Sequence, residues 1–364
     1  MGLTWLAWAA AMPAAAALLM ASFAPRQTSP VQTSAMAAGM LQSFGRFAVA
    51  AFAPSLLNVI LVAALALIWW EKWAGTPLAE LEALLAERGQ MLAFEPPRFA
   101  SGGTVGGCVA AGLAGPRRAA VGGVRDFVLG LRMIDGRGDL LRFGGEVMKN
   151  VAGYDVSRVM AGSLGTLGLI VEVSLKVLPR PPAEASLSFE LDEATALHRL
   201  NAWGGQPLPI SASVWRDGVL TLRLSGAVAA VDAALRGLGG ERLPAAQADA
   251  LWAGLRDHTD AFFAGDLPLW RLSVPGDALA VALPGTQLVE WGGAQRWLRS
   301  TAPAADIRAR TAALGGHATL FRHGDPSGDV FHPLPDPMRA LQRNLKHAFD
   351  PAGVFSPGRL YEAL

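Results

Sequence analysis

The pattern of apolar and polar positions divides the chain near Trp70. No charged residue occurs from Phe47 to Trp70. At the helical rise that run is long enough to cross a bilayer core of ~30 Å. Trp69 and Trp70 stand at its end, where indoles favour the interface, and Glu71 and Lys72 stop it. Residues 1–25 are also uncharged, but Pro13 interrupts them. No Lys or Arg precedes their apolar region, so a secretory signal fits poorly. The pattern predicts an apolar helical leader over residues 1–72 with one or two transmembrane helices. Arg26 and Arg46 favour a cytoplasmic face for the polar stretch between the runs. If both runs span, the chain beyond the leader would then lie outside.

After the leader the periodicity is that of a globular protein. Thr76-Pro77 predicts a helix start, with Thr as N-cap and Pro at the first helical position. Leu78, Leu81, Leu84 and Leu85 form its apolar stripe, and Gly89 ends it. Phe127–Ile134 and Leu140–Phe143 predict a strand pair around the turn at Asp135-Gly136. Residues 145–160 predict a helix interrupted by Gly153. Leu169, Val171, Val173, Leu175 and Val177 alternate with polar residues, which predicts a half-buried strand.

Arg180-Pro181-Pro182 marks a boundary. Beyond it the expected order is a strand at Ser186–Leu191 and a helix at Glu193–Trp203. A hairpin across Asp217-Gly218 joins Ile210–Trp215 to Val219–Leu224, and a helix follows at Ala227–Leu238. That β-α-β-β-α order suggests a ferredoxin-like α+β cap, with a second similar set from Leu269 onward. Pro333–Pro337 leads into a last helix, Met338–Phe349.

Composition sharpens the division. Among 364 residues there are 31 Lys+Arg and 30 Asp+Glu, and only Arg26 and Arg46 of these fall in residues 1–70. The mean hydropathy of +0.31 is therefore raised largely by the leader. The net charge of +1 supplies no phosphate-neutralising term for nucleic-acid binding. One cysteine, Cys108, excludes an intrachain disulfide or a cysteine-only metal site. It cannot hold an iron–sulfur cluster either.

Eight glycines fall between Gly102 and Gly123. Glycine lets backbone N–H groups approach an anion closely, and Thr104-Val105-Gly106-Gly107 precedes a small-residue helix whose N-terminus favours phosphate. The competing reading is close packing of small residues. Neither a Walker motif nor a Rossmann fingerprint is present.

The motifs Thr104–Gly107, Gly122–Gly130 (Gly-x-x-Arg-Asp-x-x-Leu-Gly), Lys149-Asn150 with Gly153-Tyr154-Asp155, and Gly162-Ser163-Leu164-Gly165-Thr166-Leu167-Gly168 occur in one order. In that order they resemble the FAD-binding domain of vanillyl-alcohol-oxidase-type, or PCMH-type, flavoproteins. Within that group the chain is most similar to the GlcE-type FAD-binding subunit of glycolate oxidase, over essentially everything after residue 73. A stretch of about forty residues, with Met40–Ala48 and Pro54–Asn58, resembles part of a lipid II flippase. Too little of that transporter is present to build its multi-helix cavity.

The resemblance implies an α+β fold in four parts. These are the leader (1–72), a PCMH-type FAD-binding domain lacking its N-terminal subdomain (73–180), an α+β cap or substrate domain (181–330) and a returning C-terminal helix and tail (331–364). It implies FAD as cofactor, bound by Thr104, Val105, Gly106, Gly107, Lys149, Asn150, Gly162, Ser163, Gly165, Thr166 and Gly168. Glycolate or a similar 2-hydroxyacid is the expected substrate. The expected partners are a second FAD-binding oxidase subunit and an iron–sulfur subunit. Location at a membrane, with the flavoprotein part cytoplasmic, is also expected.

No catalytic residue is assigned. The candidates are His317 as a substrate-side base, Arg322 as a carboxylate clamp and Lys149 as a stabiliser of negative charge. Lys149 reads equally well as an exposed helix lysine. His317 and His323, six apart in a predicted strand, would face one side, but with His332 they form no compact metal-ligand set. Arg125 and Asp126 are expected to pair and orient the glycine-rich segment. Cys108 reads as a small packed residue rather than a covalent flavin link. The alternative function is a non-catalytic, membrane-tethered assembly subunit with impaired FAD binding.

Overall fold

The computed structural model describes residues 75–99, 102–145, 155–324 and 330–361. The leader, with both apolar runs, lies outside the described residues, as do Lys149, Asn150 and Tyr154. Among the described residues no helix is long and apolar enough to cross a membrane.

Helix α1, Leu78–Glu87, begins one residue later than Thr76-Pro77 predicts. Pro77 takes the N-cap position instead, because the chain before it is extended: Pro77 bridges Thr104, and the Thr76 carbonyl accepts from Val105 N at 3.0 Å. Strand β1 (Gln90–Met91) follows, and then helix α2, Val105–Ala111. Thr104 caps α2, its Oγ1 accepting from Gly107 N at 3.1 Å, and Gly112 closes it in the left-handed region. Helix α3 (Arg118–Val121) and a 3-10 turn (Val124–Asp126) lead to strands β2, Val128–Ile134, and β3, Leu140–Gly144.

Of the helix predicted over 145–160, the described part forms a single turn, α4 (Val156–Val159), with Gly145 and Asp155 outside it. Strand β4, Leu169–Leu175, completes a three-stranded antiparallel sheet in the order β3-β2-β4. The alternation predicted along it fails at one point. Arg132 pairs with Glu172 and Met133 with Ile170, so Val171 is an extra residue on β4. A bulge of that kind shifts the phase of the faces. Ile170 accordingly joins Val173 and Leu175 against the core around Val109, Phe94 and Phe127, and Val171 is exposed.

Strand β5 (Leu178–Pro179) pairs β1. Then come β6, Ala183–Glu190; α5, Glu193–Gly204; β7, Ile210–Arg216; β8, Val219–Gly226; α6, Val228–Leu238; and β9, Glu241–Arg242. The Asp217-Gly218 turn has both φ angles positive, as a two-residue hairpin requires. Helix α7, Ala245–Asp257, precedes β10, Leu269–Ser273; β11, Thr286–Glu290; β12, Gln295–Arg299; α8, Ala304–Ala313; and β13, His317–Arg322.

These strands form one eight-stranded antiparallel sheet in the order β13-β10-β12-β11-β7-β8-β6-β9. Within each half the strands run 4-1-3-2, so the two sets predicted from the sequence carry the same topology and join at β11 and β7. The second set has an irregular segment where the first has α5. Helix α9, Asp336–Phe349, returns to the three-stranded sheet, where Leu345 and Phe349 pack near Met133 and Met160.

Candidate functional site

Two glycine loops flank α2, one at its N-terminal end and one at its C-terminal end. The first, at Gly102–Gly107, is held by the Thr104 cap and by Leu78 N donating to Gly103 O at 2.9 Å. The second, Gly162–Gly168, is stitched to α2: Gly162 N donates to Val109 O at 3.0 Å and Leu164 N to Ala110 O at 2.9 Å. A Cβ on Gly112 would lie 2.7 Å from Gly162 Cα, so backbone touches backbone where the second loop meets the C-terminal end of α2. Thr166 Oγ1 donates to Ser163 O at 2.7 Å, and Leu164 and Gly165 have positive φ.

The glycines have different reasons to be glycine. Gly168 packs on β2, where a Cβ would lie 2.6 Å from Ile134 O. Gly102 and Gly106 have no such neighbour. A Cβ at Gly102 meets nothing within 4 Å, and one at Gly106 meets only Ile170 O at 3.9 Å. Neither has positive φ. A Cβ at Gly162 likewise meets nothing within 4 Å and one at Gly165 only Ser356 Oγ at 3.9 Å, although their positive φ favours glycine. Ser163 Oγ is buried and has no hydrogen-bond partner among the described residues. An open strip of backbone with an unsatisfied buried hydroxyl beside it fits an extended anionic cofactor such as FAD, which would occupy the missing Cβ volume and give the hydroxyl a partner.

Other residues hold this frame. Lys346 on α9 donates to Thr166 O at 2.8 Å, to Phe355 O at 2.7 Å and to Asp350 Oδ2 at 2.5 Å. Nothing in the local pattern singles it out, since a helix lysine four residues before an aspartate reads as an ordinary surface pair. Asp126 does orient the glycine-rich segment, accepting from Gly123 N at 2.9 Å. The expected Arg125–Asp126 pair is absent among the described contacts; the exposed Asp126 carboxylate is engaged by the Gly123 N–H instead. Cys108 packs half-buried against the core around Val109, and burial, followed by the nearby Glu82 carboxylate, pushes its thiol up to about 12. It is therefore no nucleophile at neutral pH.

Beyond Gly112 the chain enters a second feature. Leu113–Gly115 form one wall of a small cleft of about 20 Å³ under the eight-stranded sheet. Arg271 (β10), Glu290 (β11), Gln295 and Trp297 (β12), and His258 at the end of α7 line the other walls. Trp297 Nε1 and Gln295 Nε2 both donate to Glu290 Oε2, at 2.7 and 3.1 Å. Gln295 Oε1 accepts from Arg271 Nε at 2.7 Å. Burial dominates the Glu290 carboxyl and pushes it up to about 7 despite these donors. His258 stacks on Phe263 with centroids 3.9 Å apart, and burial, with Arg322 and Arg271 adding to it, drives its imidazole down to about 3.

The catalytic candidates fare differently. His317 starts β13, opposite Ser273, and burial first, then His332 and Arg271, lower its pKa. His332 Nδ1 accepts from Ala318 N at 3.4 Å. His323 does not share the face of His317, because β13 ends at Arg322 and His323 adopts positive φ, breaking the alternation. Arg322 lies over Phe99, its Cζ 4.9 Å from the ring centroid.

The cleft's polar residues were not legible as a set. They lie on three strands, and only the register Arg271↔Trp297 and Glu290↔Gln295 brings them to one face.

A family model described as FAD binding domain matches residues 71–144. The chain is 50% identical over 290 residues to the glycolate oxidase subunit GlcE of Escherichia coli (strain K12), covering 80% of this chain and 81% of that one. It is 36% identical over 108 residues to the glycolate oxidase subunit GlcD of Bacillus subtilis (strain 168), covering 29% and 23%. Its fold is similar to that of an alkyldihydroxyacetonephosphate synthase, with a TM-score of 0.53 at 15% identity over 78% of this chain and 63% of that one. The paired glycine loops and the matched domain define a FAD-binding flavoprotein of mixed α+β fold. The chain belongs to the family of the glycolate oxidase subunit GlcE.

Proposed function

We propose that this chain is the FAD-carrying flavoprotein subunit of a complex that oxidises glycolate to glyoxylate. The observation that carries the reading is the open backbone at Gly102 and Gly106, glycines that nothing within the described chain requires. Thr104–Gly107 and Gly162–Gly168 would hold the cofactor, with Ser163 Oγ supplying a buried hydroxyl. FAD, when bound, supplies the hydride acceptor. The chain's own part is to position that cofactor through the α2 junction and to shelter the cleft beside it from water.

The repeated 4-1-3-2 strand order supports a ferredoxin-like, duplicated cap over 181–330, set on a PCMH-type flavin domain over 73–180 and closed by 331–364. A GlcD-type flavoprotein subunit is the expected partner, in keeping with the glycolate oxidase subunits that this chain resembles. An iron–sulfur subunit is expected as well, since one cysteine cannot hold a cluster. The charge-free run Phe47–Trp70 supports membrane association, and a cytoplasmic flavoprotein part is expected from the resemblance alone.

Gly106→Ala tests the cofactor assignment. Gly106 is helical and its Cβ space is open, so alanine should leave the protein as stable or stabilise it by about 0.5–1 kcal/mol. Its flavin absorbance should nevertheless fall. Unchanged flavin content would overturn the assignment, and a colourless wild-type complex would favour the non-catalytic assembly subunit.

A further inference from the structure

The C-terminal tail brings one strained residue to the second glycine loop. Past α9, Asp350 accepts from Val354 N at 2.9 Å and from Phe355 N at 2.7 Å, and Phe355 is buried. Lys346 Nζ donates both to Phe355 O, at 2.7 Å, and to Thr166 O, at 2.8 Å. One ammonium therefore fixes the residues beside those two carbonyls, Ser356 and Gly165, relative to each other. The result shows at Gly165, where a Cβ would have Ser356 Oγ, at 3.9 Å, as its one described neighbour within 4 Å.

The tail itself does not explain the conformation of Ser356, which has a φ of +41°. Left-handed backbone is costly for a residue with a Cβ, and a following proline pushes a residue toward extended backbone instead. The turn that follows is closed by Arg359 N donating to Ser356 O at 3.2 Å. A turn with Pro357 and Gly358 at its centre needs positive φ only at the glycine, which has a φ of +71°. Ser356 is exposed, so packing does not require the strain, and its hydroxyl bonds no described residue. An exposed, strained residue with an unused polar group points to a ligand.

The neighbouring groups of the loop are unused donors as well. Leu164 and Gly165 are both left-handed, and Gly165 N donates to no described acceptor. Ser163 Oγ is buried without a partner among the described residues. Two hydroxyls and a backbone N–H left free on adjoining segments match an anion that accepts several hydrogen bonds, as a diphosphate does.

We infer that Ser356 is a third cofactor contact, its hydroxyl donating to the diphosphate of bound FAD, with Lys346 as the residue that positions it. This inference rests on the FAD reading of the glycine loops. The part given to the tail rests on the geometry at Gly165.

The test is titration of the full chain, depleted of its flavin, with FAD and with ADP, which carries the diphosphate without the flavin ring. Calorimetry reads affinity, and thermal melts of the unliganded protein read stability. Ser356→Gly removes the hydroxyl and the strain together. It should melt at or above the wild-type temperature and yet bind FAD and ADP about tenfold more weakly, the size expected for a hydrogen bond to a charged group. A serine with only a structural role would not separate the two readouts. Ser356→Ala keeps the strained backbone and should lose the same affinity. Wild-type FAD affinity in Ser356→Gly would overturn the proposal. A loss in Ser356→Gly that Ser356→Ala does not share would assign the effect to the backbone and overturn it too. Weakened FAD binding with unchanged ADP binding would overturn the diphosphate contact. Failure of the cofactor reading looks different: the wild-type chain itself would then take up no FAD, and the contact falls with it.

Discussion

Among individual residues, two buried titratable groups in one cleft oppose each other. The Glu290 carboxyl has a folded-state pKa raised from 4.5 to about 7. The folded protein therefore holds a proton that the unfolded chain releases between those values, so stability falls as pH rises from about 4.5 through 7. Glu290→Gln should remove this term, with a difference from wild type that grows from pH 5 to 8 and reaches at most about 3 kcal/mol. Chemical denaturation at several pH values measures it. His258 acts in the other direction. Its folded pKa lies far below 6.5, so stability falls as pH drops from about 6.5 toward 3. His258→Phe keeps the stacking on Phe263 and should lessen acid sensitivity in that window, measured in the same way.

Gly112 and Gly106 differ in the same residue-by-residue sense. A Cβ at Gly112 would strike Gly162 backbone in a left-handed conformation, so Gly112→Ala should lose stability as well as flavin.

Among the elements, the anchor of α9 on the second glycine loop can be tested most sharply. The Asp350 side chain is buried; burial pushes its carboxyl up, but Lys346 and the backbone N–H groups of Phe355 and Val354 outweigh that and hold it below its usual value. Its contribution is present above pH 3.8 and is lost as pH falls through the lower folded value. Lys346→Met removes the cation and leaves a buried carboxylate with fewer partners. We expect a loss of about 3 kcal/mol. Because Lys346 also holds Thr166 O, flavin retention should fall with it; thermal melts and flavin absorbance read the two effects.

The arrangement of elements also shows where sequence patterns hold. The Asp217-Gly218 hairpin was legible because both turn positions need positive φ and the chain supplies residues that tolerate it. The phase of β4 was not, because a single bulged residue, Val171, reverses which face is buried without altering the alternating pattern.

Across the whole molecule, a glycine-loop domain is joined to a doubled sheet through buried charge. Arg117 donates to Glu184 at 2.8 Å and Arg223 to Glu95 at 2.9 Å, with Arg117 N also bonding Glu95 at 2.9 Å. Burial pushes the Glu95 carboxyl up, and the two arginines outweigh it and hold its pKa low. Cofactor binding should therefore be felt across the described fold. FAD at a hundredfold excess over its Kd should raise the stability of the apoprotein by about 2.7 kcal/mol, visible as a shift in the denaturation midpoint. Gly106→Ala should show little of that shift.

The glycine density, the order of the motifs, most helix and strand positions and the repeated strand–helix sets were all legible in the amino-acid order alone. These are local matters: periodicity, caps and turn conformations depend on neighbours within a few residues. The folded chain was needed to show that Gly112 meets Gly162, that Lys346 reaches Thr166, and that Arg271, Glu290, Gln295 and Trp297 share one cleft. Alternation along a strand assigns a side chain to one of two faces. Which strands lie side by side, and in what register, is set by long-range packing that no local pattern records.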